Sequence, residues 1–284
     1  MGKAVLGIDV GGSATKIVGF REVGGKRELI PPQLVHAADP LTSIYGAFGK
    51  FTMENGLSIS DIERVMMTGV GSTFAQKPLY EGLTCQAVPE FNSVGRGGLY
   101  LSGLDEAIVV SMGTGTALIH AKHTKEGDTA IKYLGGTGVG GGTLVGLSRL
   151  TIGVDTVEHI EQLAKDGNLA NIDLRISDIA SENIDPGVNR EFTAANFGKI
   201  SDLASKQDIA LGIANMVAET VGMLSVFAAR SYGLDRVVLI GNLTSFAPVR
   251  HVFEILERNF NIHFIIPDMA QYGTVIGAAL GKGQ

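Results

Sequence analysis

The chemistry of this chain starts with one carboxylate and one ammonium on either side of a glycine turn. In Leu6-Gly7-Ile8-Asp9-Val10-Gly11-Gly12-Ser13-Ala14-Thr15-Lys16 an apolar run ends at Asp9, two glycines and Ser13 follow, and Lys16 precedes a second apolar run. Glycines at a strand end let the backbone bend sharply and bring its N–H groups close to a ligand. A carboxylate just before such a turn suits a hydrated Mg²⁺, which takes one or two carboxylates plus phosphate oxygens. Lys16 adds a point charge that meets a phosphate. Two more turns of this kind follow apolar runs, Gly113-Thr114-Gly115-Thr116 and Gly241-Asn242, and a glycine tract, Gly138 to Gly142, precedes a helix expected from Leu144. Each presents backbone N–H groups, and the last adds a helix N-terminus for an anion. An ordinary hairpin turn explains any one of them. Four in one chain, one carrying Asp9 and Lys16, point to a polyphosphate held between two lobes.

The elements that must position these residues follow from patterning. Ala4 to Ile8 and Ile17 to Phe20 read as the strands of an opening hairpin, and Val23-Gly24-Gly25-Lys26 as a turn into a third strand. A helix is expected from Leu41 to Asn55, ended by Gly56. Strands follow at Arg64–Thr68, running into Gly69-Val70-Gly71-Ser72, and at Cys85–Val88, then a glycine-rich helix from Glu90 to Leu101 with Gly103 as its stop. Ala107–Val110, the Ser111–Thr116 turn and Ala117–Ile119 repeat the opening design, which suggests two lobes related by duplication, 1–105 and 106–284. The second lobe continues with a strand at Ala130–Leu134, then mainly helices from Val157 to Tyr232 with a loop at Asp185-Pro186-Gly187. A buried strand at Arg236–Ile240, a helix, a strand at Ile262–Ile266 and a last helix from Thr274 to Leu280 complete it.

Composition narrows the classes. With 45% hydrophobic residues the 284-residue chain has material for real cores. Its net charge of −6, without a basic cluster, argues against nucleic acid as a partner. The single cysteine, Cys85, excludes an intrachain disulfide framework. Met1-Gly2-Lys3 runs straight into the first strand, leaving no room for a secretory signal, so a cytoplasmic protein is expected. The most apolar stretch, Ile209 to Ala229, contains Asn215 and Glu219 and reads as a core or interface helix rather than a membrane span. The six histidines show no metal-binding spacing. A P-loop pattern is absent. Gly136, Gly138 and Gly141 satisfy Gly-x-Gly-x-x-Gly, but helix follows helix afterwards, where a dinucleotide fold needs a second parallel strand.

Taken in order, Asp9-Val10-Gly11-Gly12-Ser13-x-x-Lys16, Pro89-Glu90-Phe91, Met112 to Thr116, Gly135 to Gly142, Phe192 to Gly198, Ile240-Gly241-Asn242 and Tyr272-Gly273 resemble the type II (eukaryotic-like) pantothenate kinases. These belong to the acetate and sugar kinase/Hsp70/actin superfamily. The resemblance implies an α/β fold of two duplicated actin-like (ribonuclease H-like) lobes with an ATP cleft between them. It also implies ATP-dependent phosphorylation of pantothenate for coenzyme A synthesis, and a homodimer. Sugar kinases of the superfamily often place a catalytic aspartate at the head of the second turn. This chain has Ser111 there, and by the resemblance Glu90 is the general base. A carboxylate at a strand-to-helix junction beside Phe91 is compatible with a pKa lifted toward useful values.

Phosphoryl transfer needs alignment and charge neutralisation. Asp9 then holds Mg²⁺ through water, and Lys16 neutralises phosphate. Gly11, Gly12 and Ser13, with Gly113, Thr114, Gly115 and Thr116, cradle the phosphates, although Ser13 and Thr116 could equally be structural turn hydroxyls; the resemblance implies that Thr114 also touches the acceptor. Gly140, Gly141, Gly142, Thr143, Gly241 and Asn242 flank the nucleoside. One departure concerns the acceptor: the family commonly has an arginine two positions before the Gly-Gly pair, and this chain has Tyr133, with Lys132 beside it. Tyr133 is a hydrogen-bond donor without a charged planar fork. Two alternatives therefore stand beside pantothenate: another small hydroxyl acceptor such as pantetheine or an N-acetyl sugar, and an ATPase switch acting on a protein partner. Dehydratase activators of the superfamily, switches of that kind, need two cysteines per chain for a shared iron–sulfur cluster.

Overall fold

The computed structural model describes residues 2–11, 14–36, 39–69, 73, 79–180, 187 and 189–281. The turn residues Val70, Gly71 and Ser72 and most of the Asp185–Gly187 loop lie outside them. In chain order the first half holds β1 (Ala4–Val10), β2 (Thr15–Val23), β3 (Lys26–Val35), α1 (Pro40–Glu54), β4 (Ile62–Gly69), β5 (Thr84–Ala87) and α2 (Glu90–Ser102). There follow β6 (Glu106–Met112), β7 (Thr116–His123), β8 (Thr129–Thr137), α3 (Gly141–Ile152) and α4 (Val157–Ala164). A small ribbon of β9 (Leu174–Arg175) and β10 (Thr193–Ala195) brackets the short α5 (Ile176–Ile179). The chain ends with α6 (Lys206–Ser231), β11 (Arg236–Ile240), α7 (Ala247–Phe260), β12 (His263–Ile265) and α8 (Gly273–Ala279).

The duplication seen in the sequence is a duplication of topology. One sheet runs β3-β2-β1-β4-β5 and the other β8-β7-β6-β11-β12. In each, a three-stranded antiparallel meander is extended by two parallel strands. Central strands such as β6 are apolar on both faces because successive side chains point to opposite layers and both layers are covered. α1 buries Ile44, Phe48 and Phe51 against Leu6, Ile8 and Ile17 on one face of the first sheet. On the opposite face α8 sets Val275, Ile276 and Ala279 against Val18 and Phe20. The second sheet has α2 on one face, with Val94 and Leu99 on Val109, Ile119 and Val238. Its other face carries α6 and α7, with Val217 and Phe253 in one core with Ile108, Val110 and Leu239.

This is an exchange. α2 follows a strand of the first sheet and packs on the second, while α8 follows a strand of the second and packs on the first. The two helices meet through glycine: a Cβ on Gly97 would be driven into the carbonyl oxygen of Gly273, and one on Gly277 into that of Ser93.

Local signals set the ends. Asp39 caps α1 by accepting from the Thr42 N–H at 2.7 Å. Gly103 and Gly153 close α2 and α3 in the left-handed conformation, φ 69° and 76°. Two of the boundaries that differ from the sequence expectation bear on the glycine tract. β8 runs through Gly135, Gly136 and Thr137, because Thr116 and Ala117 of β7 pair with Thr137 and Gly136. α3 starts at Gly141 rather than Leu144. α6 is long and apolar enough to cross a membrane, yet 61% of its apolar window is buried inside the protein. The Phe192–Gly198 segment is fastened to α6 by polar contacts: Thr193 and Asn196 donate to Glu219 at 2.7 and 2.8 Å, and buried Asp173 bridges the two by accepting from the Phe197 N–H at 2.8 Å and from Asn215 at 2.9 Å.

Gly97→Ala is expected to destabilise the protein by more than about 3 kcal/mol, since the contact is backbone on backbone and neither side has a flexible end to move. Gly49→Ala, on α1 where nothing lies within 4 Å of the new methyl, is expected to stabilise by about 0.5–1 kcal/mol. Urea unfolding of the two variants checks the contrast.

Candidate active site

A cavity of about 620 Å³ opens between the two sheets, and its walls are the turns singled out from the sequence. At its floor Asp9 and Lys16 are direct cross-strand partners of β1 and β2. Lys16 is buried, and its ammonium donates across the cavity to the Asn242 side-chain oxygen at 2.8 Å and the Gln271 carbonyl at 2.6 Å. A lysine has three N–H donors. Two of them tie the first sheet to the loops of the second, and one remains. Burial lowers the Lys16 pKa, with the charge of Asp9 opposing it. Burial also raises the Asp9 pKa to about 6, against the pull of Lys16 and with a further push from the Glu90 carboxylate.

Hydrogen bonds join the described residues at the turns. The Gly11 N–H donates to the Ala14 carbonyl at 3.0 Å, and the Gly113 N–H to the Gly115 carbonyl at 3.0 Å. Thr116 donates its hydroxyl to the Val139 carbonyl at 2.9 Å. Gly241 holds φ 102° with its α-carbon so close to β6 that a Cβ would sit 2.6 Å from the Met112 carbonyl oxygen. Gly11, Gly113, Thr114, Gly115, Thr116, Gly241 and Asn242 all line the cavity. Gly12 and Ser13 lie outside the described residues.

Of the glycine tract, Gly138 lines the cavity. Gly140, Gly141, Gly142 and Thr143 are not among the residues lining this cavity. Their polar groups serve the second turn: the Gly141 and Gly142 N–H groups donate to the Gly113 and Thr114 carbonyls at 2.9 and 2.8 Å, and Thr143 donates to the Gly138 carbonyl at 2.9 Å. A Cβ on Gly140 would lie 2.8 Å from the Thr114 carbonyl oxygen and from the Gly115 α-carbon. The tract braces the second turn from behind.

Glu90, the first residue of α2, stands exposed at the cavity edge. Phe91 does not cover it. Its ring lies flat on Tyr133, centroids 4.1 Å apart and planes within 7°. Tyr133 lines the same cavity. The sequence reading missed Thr274 and Thr137 in the lining. Thr274 follows the glycine that starts α8, a cue present in the Tyr272-Gly273 segment. Thr137 sits in the glycine-rich end of β8.

Among the described residues no group of three or more His, Cys, Asp or Glu side chains forms a metal cage. Asp9 fits the other kind of site, in which a Mg²⁺ takes one or two carboxylates and completes its shell with phosphate and water. A cation there would offset the burial that holds the Asp9 pKa up.

Two solved structures cover 98% of this chain. The activator of 2-hydroxyisocaproyl-CoA dehydratase from Clostridium difficile with bound ADPNP superposes with a TM-score of 0.64 at 19% identity and 93% of its own length. Component A of (R)-2-hydroxyglutaryl-CoA dehydratase from Acidaminococcus fermentans superposes with a TM-score of 0.66 at 19% identity and 96% of its length. The two sheets of matching order and the cavity between them thus define an actin-like ATPase fold. The Fumble family model matches residues 106–255. Curated type II pantothenate kinases match at similar distances. The Oceanobacillus iheyensis enzyme is 29% identical over 71% of this chain and 77% of its own. Two Bacillus cereus enzymes are 30% identical over 84% and 83%, and 28% identical over 99% and 94%. The chain belongs to the Fumble family, among the type II pantothenate kinases.

The raised Asp9 pKa carries a sign. Between about 4 and 6 the folded state holds a proton on Asp9 that the unfolded state has released, so this group's contribution to stability falls as pH rises through that window. Without nucleotide or Mg²⁺, Asp9→Asn is expected to raise Tm at pH 7 by about 3 °C or more, and the advantage is expected to vanish near pH 4. Thermal unfolding at the two pH values measures it; an Asp9→Asn protein less stable at pH 7 contradicts the assignment.

Proposed function

We propose that this protein transfers the γ-phosphoryl group of ATP to the primary hydroxyl of pantothenate, giving 4′-phosphopantothenate, with Glu90 as general base. The observation that carries the proposal is convergence. Asp9 and Lys16 of one hairpin, Glu90 and the Gly113–Thr116 turn, drawn from three separate stretches of chain, line one cavity. Glu90 accepts the hydroxyl proton as the oxygen attacks the γ-phosphorus, the bond to the β–γ bridging oxygen breaks, and ADP leaves. Lys16 offers its remaining N–H to the phosphates, and its two fixed acceptors mean that little reorganises during transfer. Asp9 would hold Mg²⁺, which neutralises the transferring charge. Thr114, in the cavity wall, would meet the acceptor, and Asn242 would flank the nucleotide. Closure of the two halves around ATP excludes water from the reaction. Family membership supports pantothenate as the acceptor.

A homodimer belongs to the same reading. Phe227 of α6, 58% exposed, is an apolar residue available for a second copy to cover, which the mass in solution would report. A cytoplasmic location fits the substrate.

The test is a coupled ADP assay with ATP and Mg²⁺ across pantothenate, pantetheine and an N-acetyl sugar. Pantothenate-dependent turnover is expected. Glu90→Gln is expected to lower kcat by about 10²–10⁴-fold while the Kd for ATP stays within about twofold. Turnover with another acceptor alone, or ATP hydrolysis that ignores the acceptor, overturns the substrate; unchanged kcat in Glu90→Gln overturns the base.

A further inference from the structure

The base is attached to a helix end with little of its own to hold it. The cap residue of α2 is Pro89, which makes no side-chain capping hydrogen bond, so the usual fastening of a helix N-terminus is missing. Glu90 is exposed, and the next polar tie along the helix is Ser93, donating to the Pro89 carbonyl at 3.2 Å. Between them lies Phe91. Phe91 lays its ring on Tyr133 at 4.1 Å and 7°, although the two rings are 39% and 48% exposed. Two half-exposed aromatics that stack in parallel hide apolar faces that would otherwise meet water, and the contact fixes both rings.

Tyr133 is well placed to be the fixed partner. It lies on β8, the edge strand of the second sheet, in register with Ile119 of β7. Its hydroxyl end is backed by Gly136, where a Cβ would come within 3.1 Å of it. α2 already packs on the sheet that carries the Gly113–Thr116 turn, through Val94 and Leu99, and the stack extends that hold to its first turn, one residue from the carboxylate.

We infer that Tyr133 is a positioning residue that acts through its ring on Phe91 and so holds Glu90 over the phosphate turn. This rests on the reading of Glu90 as the base. The hydroxyl of Tyr133 is dispensable in this role and the ring is not. The inference also gives Tyr133 a function that requires no contact with the acceptor.

The experiment compares Tyr133→Phe, Tyr133→Leu, Phe91→Leu and the Tyr133→Leu/Phe91→Leu double variant in the pantothenate assay, with Glu90→Gln alongside. Tyr133→Phe is expected to keep kcat and the KM for pantothenate within twofold of wild type. Each leucine variant is expected to lose about tenfold in kcat with KM little changed, and the double variant to lose no more than either single one, since both remove the same contact. A rise in KM in Tyr133→Phe, additive losses in the double variant, or wild-type kcat in both leucine variants overturns the inference. If Tyr133→Leu does not fold, as circular dichroism shows, Phe91→Leu breaks the same stack from the other side. Glu90→Gln separates the two claims: full activity there removes the base itself, whereas an inactive Glu90→Gln beside fully active leucine variants removes only the clamp.

Discussion

The contact on which the rest of the structure depends is the one between α2 and α8, made by backbone against backbone. Gly97 and Gly277 have no side chains because the carbonyls of Gly273 and Ser93 occupy that space. This closeness lets one helix from each half lie between the sheets, α8 on the first and α2 on the second. The spacing of the sheets then sets the width of the cavity. The same two helices deliver Glu90 and Thr274 to its rim from their first turns. A fold that kept each helix with its own sheet would carry the same residues and place them elsewhere.

Charge is arranged in the cavity with the same economy. One half-buried carboxylate, one buried ammonium and one exposed carboxylate stand around the glycine turns. The ammonium is engaged by neutral acceptors on the far side, Asn242 and the Gln271 carbonyl, so it is held in place without being neutralised. Asp9 is left with a pKa near 6, raised by burial and by Glu90. A carboxylate in that state is under-compensated, and a divalent cation arriving with a polyphosphate supplies what is missing. On the proposed reading, burial and like charge would prepare Asp9 for Mg²⁺, and the exposure of Glu90 would leave it open to an acceptor.

Much of this was legible in the sequence because it is local. Glycine–hydroxyl turns after apolar runs announce themselves, and Asp9 and Lys16 flank one closely enough that pairing follows from the hairpin. The repeat at Ser111–Thr116 suggests two lobes related by duplication, and the two sheets have matching strand orders. What was hidden is long-range. Chain order does not say which sheet a helix packs on, so the exchange of α2 and α8 had no local signature. The glycine tract showed where backbone N–H groups are available but not that Gly113 and Thr114 would use them. Phe91 beside Glu90 suggested a hydrophobic cover, whereas its partner is Tyr133, some forty positions on. The Phe192–Gly198 segment, among the most distinctive of the resemblance, fastens the chain to α6 through Thr193, Asn196 and Glu219 rather than lining the cavity.

The central claim is that the base comes from the α2 N-terminus of one half and works on phosphate held by the turn of the other. A crystal structure with pantothenate, Mg²⁺ and a non-hydrolysable ATP analogue tests it most directly. The account predicts the acceptor hydroxyl within about 2.6–3.2 Å of a Glu90 carboxylate oxygen, with the γ-phosphate between it and the Gly113–Thr116 turn. A hydroxyl bound beyond reach of Glu90, with another side chain or a bound water as its hydrogen-bond acceptor, would contradict it.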